Sequence, residues 1–381
     1  MAVRVPVRPA MLRWALDRSG MRSDSKRFEQ FSRWADGDGQ PTFRQLEEFA
    51  HAVHAPLGYL FLPEPPVEDV PIPDFRTIGD VPVVGPSPDL LDTIHAAQRR
   101  QDWYRDYAVD RHLDRINFVG SLTVDAAAVS SATTVRELLG FSVETRRKFR
   151  SSDDALRRLI DAAENLGVLV MVSGIVGGNT HRILDPEEFR GFALSDPWAP
   201  LVFINGADTK AAQIFTLVHE LAHLWLGESA LSDAAMTSTS QNEHERWANQ
   251  VAAEVLVPLQ SLLQEYEGRP TEQEVRRLSL LYRVSTLVIL RRFFDARFLD
   301  WDVYRERYDA EHARILAVLA SRGGSGGNYY NTQPLRISQA FARAVIVDAM
   351  EGRTLYRDAF SLLGAAKQST FEGMASQLGV A

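Results

Sequence analysis

The sequence predicts an α+β middle between two all-α ends, and three observations carry that prediction. Apolar residues recur at three- and four-residue spacing before residue 62 and again from Lys210 onward, the period of a helix with one buried face. Two short β-rich runs, residues 168–172 and 201–205, interrupt this pattern, each bounded by Gly or Pro. Clusters of proline and glycine mark where the chain changes character.

The elements follow in order. Met11, Leu12, Ala15 and Leu16 share a face; Phe28, Phe31 and Trp34 recur every third residue; Leu46, Phe49, Ala50 and Val53 recur at three and four. Thr42 is placed to cap a helix, with Gln45 at the capping-box position. Residues 1–62 thus form one helical domain. Eight of the 18 prolines fall between residues 63 and 88, and fixed φ with missing donors makes 63–90 an extended linker or a strap over a neighbour. Residues 91–149 read as a helical connector. The stripe Ala155, Leu156, Leu159, Ile160 opens a core, residues 150–270, that holds both strands. A helical extension, 271–320, ends at the flexible run Gly323-Gly324-Ser325-Gly326-Gly327, and 328–381 form a C-terminal helical domain with Leu335, Ile337, Phe341, Val345, Leu362 and Leu363 as its apolar positions.

A chain of 381 residues exceeds one ordinary domain, and 45% hydrophobic with 24% charged residues excludes wholesale disorder. No stretch approaches the roughly eighteen apolar residues of a membrane span. The first twenty residues lack a secretory apolar core, so the cytoplasm is the expected compartment. Cysteine is absent, which removes disulfide scaffolds, thiol catalysis and thiolate zinc sites. A borderline metal would then rely on His and carboxylate ligands. The net charge of −8 argues against a chain-wide nucleic-acid surface.

The segment richest in chemistry is Val218-His219-Glu220-Leu221-Ala222-His223-Leu224. Histidines at i and i+4 stand one above the other on a helix, which suits two ligands of one zinc ion. Glu220, next to the first histidine, is placed to act as general base on a water. Its competitor is a buried helix with two core histidines, disfavoured because a carboxylate beside them is costly to bury without a cation. The third-histidine continuation of related motifs is missing, since Ser229 stands at that position. A third ligand must come from Glu228, Asp233, Glu243, His244 or Glu245. In the next helix the apolar face runs through Ala248, Val251, Ala252 and Val255, and Glu245 projects from that face while Glu243 does not. Glu245 is the preferred ligand and His244 the second choice. Asn249, one turn on, is a candidate to hydrogen-bond a ligand ring.

His219-Glu220-Leu221-Ala222-His223, followed by Glu245-Arg-Trp-Ala-Asn249 and Ala252-Ala-Glu-Val-Leu-Val-Pro258, resembles the ImmA/IrrE family of metallopeptidases. Residues 188–193 and 202–205 extend the likeness to roughly residues 150–295. The resemblance implies a zincin-like core with a small mixed sheet before the motif helix. It implies zinc on His219, His223 and Glu245, with Glu220 as base. It also implies substrates that are regulatory proteins, such as helix-turn-helix repressors, or neighbouring toxin-system proteins. Val257 replaces the methionine common before the proline, a conservative departure.

The N-terminal helices resemble an Xre-type helix-turn-helix domain through Arg13-Trp14, Trp34-Ala35-Asp36-Gly37 and residues 41–47. Lys26, Arg27, Gln30 and Arg33 are the candidate DNA contacts, although nine Lys/Arg against seven Asp/Glu in residues 1–62 leave a net charge of only +2. Residues 274–294 look like a second small helix-turn-helix fold, with Ser285 as a cap and Arg283, Arg291 and Arg292 as possible DNA contacts. Arg146-Arg147-Lys148-x-Arg150 reads as a solvated helix face. The strand at 201–205 is expected to pair with an extended substrate, with His244 and Tyr282 as candidate oxyanion stabilisers. The expected activity is zinc-dependent endopeptidase. The alternative is an antitoxin or transcriptional regulator that binds a toxin or DNA, its metal site structural. No membrane partner is expected.

Overall fold

The computed structural model describes residues 3–21, 26–74, 77–78, 81–82, 85–232, 242–321 and 329–380. The glycine run 323–327 and Asp233 lie outside the described residues. Two compact units emerge: Met1–Pro71 with Val83–Ile94, and Ile72–Pro82 with His95–Ala381.

The first unit packs α1 (Pro9–Ser19), α2 (Lys26–Ala35), α3 (Phe43–Ala52) and a 3₁₀ turn (Leu57–Phe61) around one core. Met11, Leu12, Ala15 and Leu16 meet Phe31, Trp34, Leu46, Phe49 and Val53 there, and Phe31 meets Phe49 edge-on at 4.9 Å. Proline at the first turn of α1 and the reciprocal Thr42–Gln45 capping box at α3 satisfy the helix starts. Arg27, Gln30 and Arg33 are exposed on α2.

The second unit begins with the hairpin β1 (Thr77–Ile78) and β2 (Val81–Pro82), then takes α4 (Pro88–Asp110) from His95 onward, followed by α5 (Ala128–Leu138), α6 (Val143–Arg147) and α7 (Ser152–Asn165). A mixed sheet follows from β3 (Leu169–Ser173), β4 (Gly191–Leu194), β5 (Leu201–Asn205) and β6 (Ala230–Ser232), in the order β3-β5-β4-β6. β3 and β5 run parallel, while β4 is antiparallel to both β5 and β6, so Phe192 stands opposite Phe203 on one side and Leu231 on the other. The expectation for 201–205 is corrected here: β5 is bonded along both edges, buried throughout, and has no free edge for a substrate. Its unbroken run Leu-Val-Phe-Ile-Asn is that of a doubly covered strand.

Between β5 and β6 lies α8 (Lys210–Leu226), buried at every residue from Gln213 to Trp225. Thr209 caps its start and Gly227, at φ 76°, its end. Its last carbonyls are not left bare: Gly120 N–H donates to Leu224 O at 3.1 Å and Leu122 N–H to Trp225 O at 3.0 Å. α9 (Glu243–Leu256) packs on α8 and α5, and Trp247 Nε1 donates to Ala126 O at 2.9 Å.

Beyond it come α10 (Leu259–Glu265), α11 (Glu272–Tyr282), α12 (Thr286–Asp295) and α13 (Trp301–Ser321). Ser285 caps α12 as expected. Arg292 is not a surface contact: it is buried, donating to Val257 O and paired with Glu254 and Asp295. Arg146 likewise leaves the solvated cluster to which its neighbours assign it. It is fully buried, donating to Tyr282 O at 2.8 Å. Finally α14 (Tyr329–Ile337), α15 (Gln339–Met350), α16 (Tyr356–Leu363) and α17 (Gln368–Gln377) form the C-terminal helices, with Ile337, Phe341, Val345 and Leu363 buried. Glu164 ties them to the core, accepting from Ser338 Oγ at 2.6 Å and Gln339 N–H at 3.0 Å. No described helix is long and apolar enough to cross a membrane.

Candidate metal centre

α8 delivers His219 and His223 one turn apart, and α9 brings Glu245 across to them. All three are buried, as is Glu220. The Nε2 atoms of the histidines stand 3.2 Å apart, and Glu245 places one carboxylate oxygen 3.3 Å from His219 Nε2 and the other 3.1 Å from His223 Nε2. Three ligands at 2.0–2.1 Å on a tetrahedral zinc would be separated by roughly 3.3–3.4 Å. The separations seen here are of that order, and one donor atom from each residue lies within 4.8 Å of the others, so the three form a donor triangle, the described group able to hold a metal ion. The chemistry of the donor set agrees, because imidazole and carboxylate suit zinc and neighbouring transition ions. Glu228, Glu243 and His244 are not in this group.

The protonation of the site follows from burial. Burial, reinforced by the charge of Glu245, pushes the Glu220 carboxyl well above the ordinary carboxylate range, with Ser232 a smaller opposing influence. Burial pulls His223 below the usual imidazole value, partly offset by Glu245. Burial would raise Glu245 too, but His219 and His223 outweigh it and hold that carboxyl low. A lowered imidazole value at His223 and an ionised carboxylate at Glu245 both favour binding of a divalent cation.

Two neighbours carry no signal in the sequence pattern. Ser232, fully buried on β6, has its Oγ 3.5 Å from Glu220 Oε2 and 3.3 Å from His223 Nε2. Gly191 on β4 faces Glu220 with no side chain between them. Glu220 Oε1 is buried and makes no hydrogen bond among the described residues.

Residues 163–294 match the peptidase family model described as the IrrE N-terminal-like domain. The match covers about a third of the chain and contains all of α8 and α9, and it supports a metallopeptidase of the ImmA/IrrE type. A second family model, described as a domain of unknown function, matches residues 337–377, from the end of α14 through α17. No curated protein matches the chain at a significant level.

The remaining predicted residues fall into place differently. His244 sits at the start of α9 with Nδ1 2.5 Å from Glu228 Oε1. Asn249 does not make the expected bond to a ligand ring; its Oδ1 is buried without a hydrogen-bond partner, as is His219 Nδ1. Tyr282 is not brought to the site either. It is buried at the end of α11, its hydroxyl 2.9 Å from Ser261 Oγ on α10. The apolar position that makes Tyr282 a core residue outweighs its value as a donor.

Proposed function

We propose that the chain is a zinc-dependent endopeptidase that cuts a regulatory protein, with His219, His223 and Glu245 as metal ligands and Glu220 as general base. The observation that carries this reading is the donor triangle with a buried carboxylate next to it. Zinc bound there would supply Lewis acidity toward a peptide carbonyl and toward water. A structural zinc would ordinarily have four protein ligands and no use for an adjacent base.

Glu220 takes the proton of the attacking water through its unengaged Oε1 and hands it to the leaving amine nitrogen. Its raised proton affinity suits both halves of that shuttle, since a solvated carboxylate is a poor base near neutrality. Ser232 keeps the other oxygen oriented. His244, whose Nδ1 lies beside Glu228 Oε1, is the candidate to steady the developing oxyanion from its second ring nitrogen.

A regulatory substrate fits a peptidase domain flanked by a helical N-terminal unit and a helical C-terminal segment, by analogy of architecture. The exposed Arg27, Gln30 and Arg33 on α2 would serve such a role if that unit reads DNA or a DNA-binding partner. The test is co-expression with the proteins encoded beside it, comparing wild type with Glu220→Gln at equal zinc content. Cleavage at one site by wild type alone is expected. Intact neighbours in both strains, with about one zinc per chain bound, would count against the reading.

A further inference from the structure

The sheet has one edge beside the metal centre, and the chain occupies it itself. β6 is the terminal strand on that side, and its Ser232 reaches both Glu220 and His223. On the outer side of β6, Leu231 N–H donates to Pro73 O at 2.9 Å, and Asp74 pairs with Leu231 in parallel register. Ile72, next along, is buried at 9% exposure. An extended polypeptide binds a sheet by adding itself to an edge of this kind, gaining main-chain bonds from the strand and specificity from alternate side-chain pockets. Here that place is filled by a strap drawn from the proline-rich segment.

On the reading that this centre cuts peptide bonds, we infer that residues 72–74 are a built-in competitor for the substrate strand, and that the substrate is an extended segment that displaces them from β6. The strap is suited to occupy the edge without holding it firmly. Pro71 and Pro73 have no N–H, so they accept bonds but return none to a neighbouring strand. A single buried side chain, Ile72, anchors it. The strap thereby indicates what the groove accepts: an extended stretch with a β-branched apolar residue at the position of Ile72. Residues 72–82 cluster with the second unit, whereas Met1–Pro71 and Val83–Ile94 belong to the other. The energetics are those of a competing state: a strap seated nine-tenths of the time weakens apparent substrate affinity about tenfold.

The experiment uses the full chain loaded with zinc, as Ile72→Asp and as a triple variant Ile72→Gly, Pro73→Ser, Asp74→Gly. In a Glu220→Gln background, a fluorescent peptide of residues 68–78 is titrated and read by polarisation. Hydrogen exchange of the Leu231 amide is followed in parallel. Both variants should bind the peptide about tenfold more tightly than wild type and lose protection at Leu231 until the peptide is added. With Glu220 restored, KM should fall and kcat stay level. Unchanged peptide affinity together with unchanged KM overturns the strap, even if Glu220-dependent cleavage is seen. A rise in peptide affinity without Glu220-dependent cleavage in any variant leaves the strap standing and removes the peptidase reading. Zinc content reports folding, so the triple variant decides if Ile72→Asp does not fold.

Discussion

Gly191 on β4 lies directly against Glu220 on α8: a β-carbon at position 191 would stand 3.1 Å from Glu220 Cγ, 2.6 Å from Thr216 Cγ2 and 2.8 Å from the Phe203 carbonyl oxygen. Glu220, the proposed general base, is thus seated where the sheet offers no side chain. The Phe203 oxygen belongs to the central strand and cannot step aside. Gly191→Ala should cost about 1–3 kcal/mol of stability, the usual penalty for overpacking. It should also lower Glu220-dependent turnover while metal content is kept, because the ligands lie on α8 and α9. Urea midpoints and metal analysis check this; an unchanged midpoint would contradict the close approach.

The proposed metal ligands make a sharper prediction. His219→Ala, His223→Ala and Glu245→Gln each remove one corner of the donor triangle and should weaken zinc binding by more than the roughly 10–100-fold loss typical of a change in a residue behind the ligands. Glu243→Gln, on the exposed side of α9, should leave zinc binding unchanged. Zinc should raise the melting temperature of wild type, since saturating a site at a hundredfold excess over Kd stabilises by about 2.7 kcal/mol. The three ligand variants should show no such rise. A Glu245→Gln protein that binds zinc as wild type does would move the third ligand elsewhere.

Glu220 also makes the metal-free protein sensitive to pH. Its folded-state pKa is raised by burial and by Glu245, so the folded state holds a proton that the unfolded chain releases. The stability tied to that proton is present below the ordinary carboxylate range and is lost as pH rises through the folded value. Glu220→Gln removes the loss. Chelator-treated Glu220→Gln should therefore melt above chelator-treated wild type at pH 8, and the gap should close as the pH falls toward about 4, the ordinary carboxylate value. A gap of the same size at both ends would show that the carboxyl is not strained by its surroundings.

Much of this site could be read along the chain, because it is local. His219 and His223 share a face by helical spacing, and Glu245 declares its direction through the apolar stripe of its own helix. Caps at Thr42 and Ser285 are equally local. What escaped depends on which strand lies beside which. β5 could not be told from an edge strand until β4 closed its second side. Gly191 and Ser232 gain their meaning only because the β4–β6 pairing sets Gly191 opposite Ser232, beside α8. The roles of Arg146 and Arg292 were hidden for the same reason: an arginine in a basic run looks solvated until distant carbonyls or carboxylates surround it.

Arg146 supplies the last prediction. Its guanidinium lies 5.1 Å from the centre of the Phe141 ring and bonds two helix ends, donating from Nη1 to Tyr282 O at 2.8 Å and from Nη2 to Val255 O at 3.4 Å. Those carbonyls belong to the last turns of α11 and α9, where helices leave acceptors without internal partners. Burial, with a smaller push from Arg136, brings its pKa down to about 9, so it remains charged at neutral pH. Arg146→Met keeps most of the volume and loses both donors, and should cost about 1–3 kcal/mol for each carbonyl left buried and unpaired. Arg146→Lys should not restore the loss, because a single ammonium lacks the planar fork that reaches two acceptors. Arg147→Ala, one residue on, removes a surface ion pair with Glu265 and should cost at most about 1 kcal/mol. Denaturation midpoints for the three variants decide the matter. If Arg146→Met and Arg147→Ala fall by the same small amount, the buried bonds contribute nothing. If Arg146→Lys matches wild type, then charge alone, and not the geometry of the fork, joins the α9 and α11 ends.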